Sequence, residues 1–184
     1  MLDEISDDQL LLMFRRGSAD AFEVLFDRYH TSVFNFACYM LDGVDGAADV
    51  MQEAFLTVAS KADQYEPRGR FRAWLMRIVR NLCLNRLRAE SARRRVIAEV
   101  GLDFLAPAAP QGNPARQAAL NEQQEALTRW IKELPVNQRE ALVLRVFESM
   151  KYREIGEALG VPLNTVKTWL HRARATLAER LEEL

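Results

Sequence analysis

Between Tyr152 and Leu170 the chain reads YREIGEALGVPLNTVKTWL, a spacing at which two short helices can cross near a right angle. Ile155, Leu159, Val161, Val166 and Leu170 supply the apolar contacts. Gly156 keeps the first helix thin at the crossing, and Gly160 can take the positive φ that the turn requires. Pro162 fits just ahead of the second helix, where Asn164 or Thr165 can satisfy free N–H groups. Such a helix-turn-helix displays Asn164, Thr165, Lys167, Thr168, His171, Arg172 and Arg174. That set can reach base edges and phosphates from the major groove. The competing reading is an ordinary helical hairpin with a solvated charged face.

A second constellation interleaves aromatic rings with cations. Tyr65, Phe71 and Trp74 accompany Arg68, Arg70, Arg72 and Arg77, and Arg80 and Asn81 follow. Arginines that track phosphates, beside rings or pocket walls that receive unstacked bases, suit unpaired nucleic acid, at roughly 1–3 kcal/mol per stacked base. Phe71 and Trp74 are also the kind of residue that fills a core, and Arg93, Arg94 and Arg95 read equally well as a solvated helix end. Both readings stay open at this level.

Other chemistries find little support. No phosphate-cradling glycine loop with its lysine occurs, and no carboxylate, serine or cysteine arrangement suggests catalysis. Cys38, Cys83, His30 and His171 lack zinc spacing. Each cysteine lies in an apolar helical context and is expected to be a buried thiol without a disulfide. Neither metal nor cofactor is expected. The opening MLDEISDDQ is acidic where a secretory leader would be basic and then apolar. No run approaches the roughly 20 apolar residues that cross a bilayer. A cytoplasmic protein without membrane insertion is expected.

The elements that must position these residues are helical. Leu, Ala, Arg and Glu dominate, and no strand-like alternation or internal repeat is evident in the 184 residues. A short helix is expected from Asp7 to Arg16, stopped at Gly17. Ser18 precedes a longer stripe through Phe22, Leu25, Phe26, Tyr29, Val33, Phe34, Ala37 and Met40, broken at Gly43 to Gly46. An amphipathic helix over Ala47 to Ala62 follows, then, past Pro67 and Gly69, a long one from Phe71 to about Arg94. Between Val96 and Ala119 periodicity fades and Gly, Pro and Ala concentrate, as in a linker, with Leu102, Phe104 and Leu105 able to dock. The helical pattern resumes from Leu120.

The formal net charge of −1 hides a segregation. Before Tyr65 the acids outnumber Arg15, Arg16, Arg28 and Lys61 severalfold. From Tyr65 to Arg95 only Glu66 and Glu90 oppose a dense arginine series. The basic block calls for a polyanion, and the acidic stretch before it suits a basic protein surface.

Three segments carry a resemblance. FEVLFDRYHTSVFNFA, DVMQEAFLTVASKADQYEPRGRFRAWLMRIVRNLCLNRLRAESARRR and LPVNQREALVLRVFESMKYREIGEALGVPLNTVKTWLHRARATLAERL resemble regions two and four of an extracytoplasmic-function RNA polymerase sigma factor (group IV of the sigma-70 family). They come in the family's order, separated by a linker in place of region three, and cover nearly the whole chain. The resemblance implies an all-α fold of two small domains, a region-two bundle over 1–95 and a region-four helix-turn-helix domain over 120–184, joined by a flexible linker over 96–119. It implies a non-enzymatic factor that binds core RNA polymerase and directs promoter-specific initiation.

Residue by residue, the resemblance places Asp49, Gln52, Glu53 and Phe55 against the clamp coiled coil of the polymerase. It places Arg68, Arg70, Phe71, Trp74, Arg77, Arg80 and Asn81 at the minus-ten element, with the EPRGRF loop where the family captures a flipped base. Lys167, Thr168, His171 and Arg172 match its minus-thirty-five contacts. Trp169 and Asn164 depart from the family pattern, which leaves the role of Trp169 open. An anti-sigma protein is the further partner that the family implies. Two rivals differ in class: a dimeric helix-turn-helix repressor or activator, which would bind palindromic duplex sites without polymerase, and a small helical enzyme or scaffold with an incidental basic face.

Overall fold

The computed structural model describes residues 2–41, 43–100 and 118–182, with side chains described outside 3, 96–100 and 118–125. Most of the expected linker, with Leu102, Phe104 and Leu105, lies outside the described residues. Among those described, every regular element is helical: α1 (Asp7–Arg15), α2 (Ala19–Met40), α3 (Val44–Lys61), α4 (Phe71–Val100), α5 (Ala118–Glu133), α6 (Val136–Val146), α7 (Tyr152–Leu159) and α8 (Leu163–Glu182). Short 3₁₀ turns occupy Leu2–Glu4 and Ala62–Gln64. The all-α expectation holds.

Local chemistry sets the helix ends. Ser6 caps α1 reciprocally with Gln9, whose N–H donates to Ser6 Oγ at 3.4 Å while Ser6 N–H donates to Gln9 Oε1 at 3.3 Å. Ser18 Oγ accepts from the Ala21 N–H at 3.4 Å and opens α2. α3 begins before the expected Ala47, because only Gly43 breaks the chain, at φ 103°, and Asp45 places a carboxylate in the first turn. α4 continues past Arg94 to Val100.

Helices α1 to α4 bury Leu10, Leu11, Leu25, Phe36, Met40, Val50, Phe71, Leu75, Met76 and Val79. Each such side chain contributes about 1.5–3 kcal/mol relative to exposure. Helices α5 to α8 and the turns between them bury Ile131, Leu134, Leu144, Met150, Ile155, Val166 and Leu170. The two groups also pack on each other, α7 against α4 and α6 against α2. Tyr39 of α2 stacks on Phe147, centroids 4.3 Å apart. Lys132 Nζ donates to the Leu41 carbonyl at 3.0 Å, and Arg139 Nη1 to the Met40 carbonyl at 3.3 Å.

Cys38 and Cys83 are free thiols. Burial, helped by the nearby Glu140 carboxylate, pushes the Cys83 thiol up to about 12, so it serves as packing rather than as a nucleophile. Among the described residues, no helix is long and apolar enough to cross a membrane.

Candidate nucleic-acid interface

Helices α7 and α8 form the helix-turn-helix. Gly160 closes α7 at φ 69°, ψ 35°, the left-handed conformation expected of it. The Val161 N–H donates to the Gly156 carbonyl at 2.9 Å. A Cβ on Gly156 would stand 2.9 Å from the Val161 carbonyl oxygen, so the close approach that the sequence implied is real. The Pro162 carbonyl accepts from Thr165 at 3.0 Å and from Val166 at 3.2 Å, starting α8.

Val166, Leu170 and Ala173 turn α8 inward. Asn164, Lys167, Thr168, His171, Arg172 and Arg174 are exposed, and Thr165 is half-buried at the edge of that face. Trp169 is half-buried and packs against the core, a structural role that its departure from the family pattern did not reveal.

The aromatic and arginine constellation surrounds a cavity of about 380 Å³ lined by Tyr65, Glu66, Arg68, Arg70, Trp74 and Arg77. Tyr65 and Trp74 meet with centroids 4.9 Å apart. Trp74 is half-buried and lends one side to the cavity, whereas Phe71, only 1 % exposed, packs between Tyr29 and Tyr65 as core. Phe71 is therefore corrected from a base-contacting candidate to a support of the site. Arg68, Arg70, Arg77 and Asn81 are exposed; Arg80 is half-buried.

Three arginines of this face meet glutamates of the C-terminal helices: Arg70 Nη1 to Glu157 Oε1 at 3.3 Å, Arg72 Nη2 to Glu148 Oε2 at 3.2 Å, and Arg80 Nε to Glu140 Oε1 at 2.9 Å. Arg72 also donates to the Glu148 carbonyl, and Ser32 Oγ to the Glu148 carboxylate. Glu140 is fully buried. Its pairing with Arg80 is close in distance but lacks hydrogen-bond alignment. Desolvation pushes the Glu140 carboxyl above the ordinary range, against the opposing pull of Arg80 and Arg139. Nothing in the local sequence marks these glutamates, because their partners lie 60 to 87 positions away.

On α3, Asp49, Gln52 and Glu53 are exposed on one face. Arg86 of α4 braces it, reaching Asp49 at 3.2 Å, Glu53 at 3.4 Å and the Gly46 carbonyl at 3.1 Å. Phe55 points the other way, 5 % exposed, against Phe22 and Phe26 at 6.2 and 4.7 Å. It is corrected from a contact to core. The exposed apolar side chain on this face is Leu56.

Residues 25–93 match the family described as sigma-70 region 2, and residues 124–177 match sigma-70, region 4. The ECF RNA polymerase sigma factor SigW of Bacillus subtilis is 31 % identical over 175 residues, spanning 92 % of this chain and 94 % of that one. The chain belongs to the extracytoplasmic-function sigma factors. Such factors start transcription and are not enzymes. The RNA polymerase sigma factor CarQ of Myxococcus xanthus is 34 % identical over 175 residues, 93 % of this sigma factor and 95 % of CarQ.

Two solved structures are similar. RpoE in complex with the anti-sigma factor NepR from Bartonella quintana has a TM-score of 0.70 at 25 % identity, over 88 % of this chain and 96 % of that one. CnrH in complex with the cytosolic domain of CnrY has a TM-score of 0.75 at 23 % identity, over 97 % and 99 %, a likeness of fold. In this sigma factor the region-two match contains α3 and most of α4, and the region-four match contains α7 and most of α8. Helix α1 precedes both matched spans.

Proposed function

We propose that this sigma factor binds core RNA polymerase and directs it to promoters by reading two elements in two different states. Helix α8 reads the minus-thirty-five element as duplex through Asn164, Thr165, Lys167, Thr168, His171, Arg172 and Arg174. The cavity beside Tyr65 and Trp74 takes an unstacked minus-ten base, with Arg68, Arg70, Arg77, Arg80 and Asn81 along the strand. Asp49, Gln52 and Glu53, with Leu56, face the polymerase. The division into 1–95, 96–119 and 120–184 is part of the same reading.

The observation that carries it is the cavity. An aromatic wall, a rim of arginines and room for a base occur together where the 65–70 loop meets the start of α4. Capturing an unstacked base offsets a few kcal/mol of unpairing, so melting is driven by binding and needs no nucleotide hydrolysis. Control by an anti-sigma protein belongs to the same proposal, supported by the similar structure of RpoE, which is a complex with the anti-sigma factor NepR.

In vitro transcription tests it, with core polymerase from the source bacterium on a pool of its upstream DNA, with and without this protein. Specific transcripts that vanish on Lys167→Ala plus Arg172→Ala are expected. No association with core and no transcripts would overturn the reading and favour a regulator that binds duplex DNA on its own.

A further inference from the structure

The loop over residues 65–70 rims the cavity, and α1 holds it at both ends although it contributes no wall. At the far end, Asp8 accepts twice: from Tyr65 Oη–H on Oδ1 at 2.6 Å and from the Gly69 N–H on Oδ2 at 2.5 Å. Tyr65 Oη in turn accepts from the Arg70 N–H at 3.2 Å. At the near end, Arg15 Nε donates to the Ala62 carbonyl and Nη2 to the Tyr65 carbonyl, each at 2.6 Å. Asp8 and Arg15 are seven positions apart, two turns and about 10.5 Å along one helix face.

The signs are matched to the backbone. A carboxylate meets the N–H and O–H donors of the loop, and a guanidinium meets the Ala62 carbonyl, which opens the 3₁₀ turn and also accepts the Tyr65 N–H, and the Tyr65 carbonyl just past it. Tyr65 is 6 % exposed, so its hydroxyl needs a buried partner, and Asp8 is that partner. Burial, and then the Asp8 carboxylate, hold the Tyr65 phenol well above its ordinary range, so it stays a donor at any working pH. Asp7, the neighbouring acid, does different work: it fixes α1 to α2 through Arg28 at 2.7 Å and Tyr29 at 2.5 Å. α1 is thus anchored on one side and free to act as a strut on the other.

We propose that Asp8 and Arg15 are positioning residues for minus-ten base capture: they fix Tyr65 and the 65–70 loop, and so set the shape of the base-receiving cavity without touching DNA. This rests on the reading of the cavity as the minus-ten pocket. Losing Asp8 leaves the Gly69 N–H and the Tyr65 hydroxyl without their acceptor, and the loop loses one of its two anchors. A loosened pocket still accepts a base but discriminates less between bases, because selectivity needs the rejected base to meet fixed walls and unpaired polar groups.

The test uses holoenzyme on the promoter recovered by in vitro transcription, with each minus-ten base changed in turn. The readout is the ratio of open complex, by permanganate reactivity, on the matching over the changed base. Asp8→Ala and Tyr65→Phe are each expected to reduce that ratio about tenfold. The double variant falls by less than the two single losses combined, since both cut the Tyr65–Asp8 link while each also releases one contact of its own, the Gly69 N–H or the Arg70 N–H. Asp8→Asn, which keeps one acceptor, retains part of the selectivity. Affinity for core polymerase stays at the wild-type level, and Tyr65→Phe, which keeps the ring, lowers the melting temperature by no more than Asp8→Ala does. A ratio unchanged in Asp8→Ala and Tyr65→Phe, or losses that add, overturns the brace. Arg68→Ala plus Arg70→Ala separates the two failures: if that pair lowers the ratio and neither Asp8→Ala nor Tyr65→Phe does, only the brace is wrong. If neither moves it, the pocket reading falls and takes the brace with it.

Discussion

The two candidate DNA surfaces are in opposite states. On α8, Asn164, Lys167, Thr168, His171, Arg172 and Arg174 stand out in solvent on a helix whose other side is packed. On the α4 surface, Arg70, Arg72 and Arg80 already meet Glu157, Glu148 and Glu140. On the proposed reading, Glu157 and Glu140 hold two arginines that would follow the strand while Arg68 and Arg77 stand exposed, so the first surface can bind as it stands and the second must be partly vacated. The difference follows from what each surface reads. A duplex is present before initiation, whereas a separated strand exists only after docking has begun, and an arginine face left bare in the interval would attract any polyanion.

The largest effect is expected at the crossing of α7 and α8. Gly156→Ala pushes a methyl against the Val161 carbonyl at 2.9 Å, which should cost about 1–3 kcal/mol. Fluorescence anisotropy should show minus-thirty-five duplex binding sharply weakened and binding to a single-stranded minus-ten oligonucleotide unchanged. Equal loss on both would show that the two surfaces are not separable.

Next in size is release of the occupied face. Glu140→Gln, Glu148→Gln and Glu157→Gln together should raise affinity for the single-stranded oligonucleotide severalfold, since an exposed pair such as Arg70–Glu157 contributes about 0.2–1 kcal/mol and the buried Glu140 and Glu148 gain little net stability from their ionised pairs. Duplex binding by α8 should not move. A triple variant that binds the single strand no better would mean that the glutamates do not compete with it.

A smaller effect is a pH dependence. The Glu140 carboxyl is raised in the packed structure, so its ionised form is disfavoured there. The penalty is absent below the ordinary glutamate value of about 4.3. It grows as pH rises from there to the raised value, and is complete above it. Packing of α6 on α4 should therefore loosen across that window, read by a donor and acceptor dye pair, one on each helix group. The comparison that isolates it is Glu140→Gln, which should lose this component.

The smallest is Arg86→Ala. Its partners Asp49 and Glu53 remain largely solvated, with side chains 66 % and 52 % exposed, so stability should shift by less than about 1 kcal/mol. Core polymerase affinity, measured by surface plasmon resonance, should fall modestly as the acidic face loses its brace.

The helix-turn-helix was legible in the sequence because its requirements are local: two glycines at fixed offsets and five apolar residues. So were the helix starts at Asp7 and after Ser18, because a helix start is decided by a few adjacent residues. Phe55 and Phe71 show where family likeness and periodicity part. Both lie on the apolar stripe of their helix, and the stripe, not the likeness, says which way they point. Trp169 illustrates the same rule on α8. What no local pattern could disclose is the pairing of Arg72 with Glu148 or Arg80 with Glu140, nor that Asp8 reaches Gly69. Those depend on how separate helices come together, and an acidic N-terminal stretch looks alike whether it faces solvent, a partner or its own chain.

The three pairs that cover α4 have a consequence for ionic strength. When a bare arginine meets a nucleic-acid phosphate, condensed cations leave the strand, and binding falls with salt at a slope of about −0.7 per phosphate on a single strand. Here each paired arginine must first leave a carboxylate, which then gathers small cations of its own, and added salt eases that separation while it weakens the new contact. The two responses oppose each other. Binding of the melted strand by the intact chain should therefore follow salt less steeply than binding by the triple glutamine variant, making the choice of promoter less dependent on the ionic composition of the surroundings than a basic surface alone would allow.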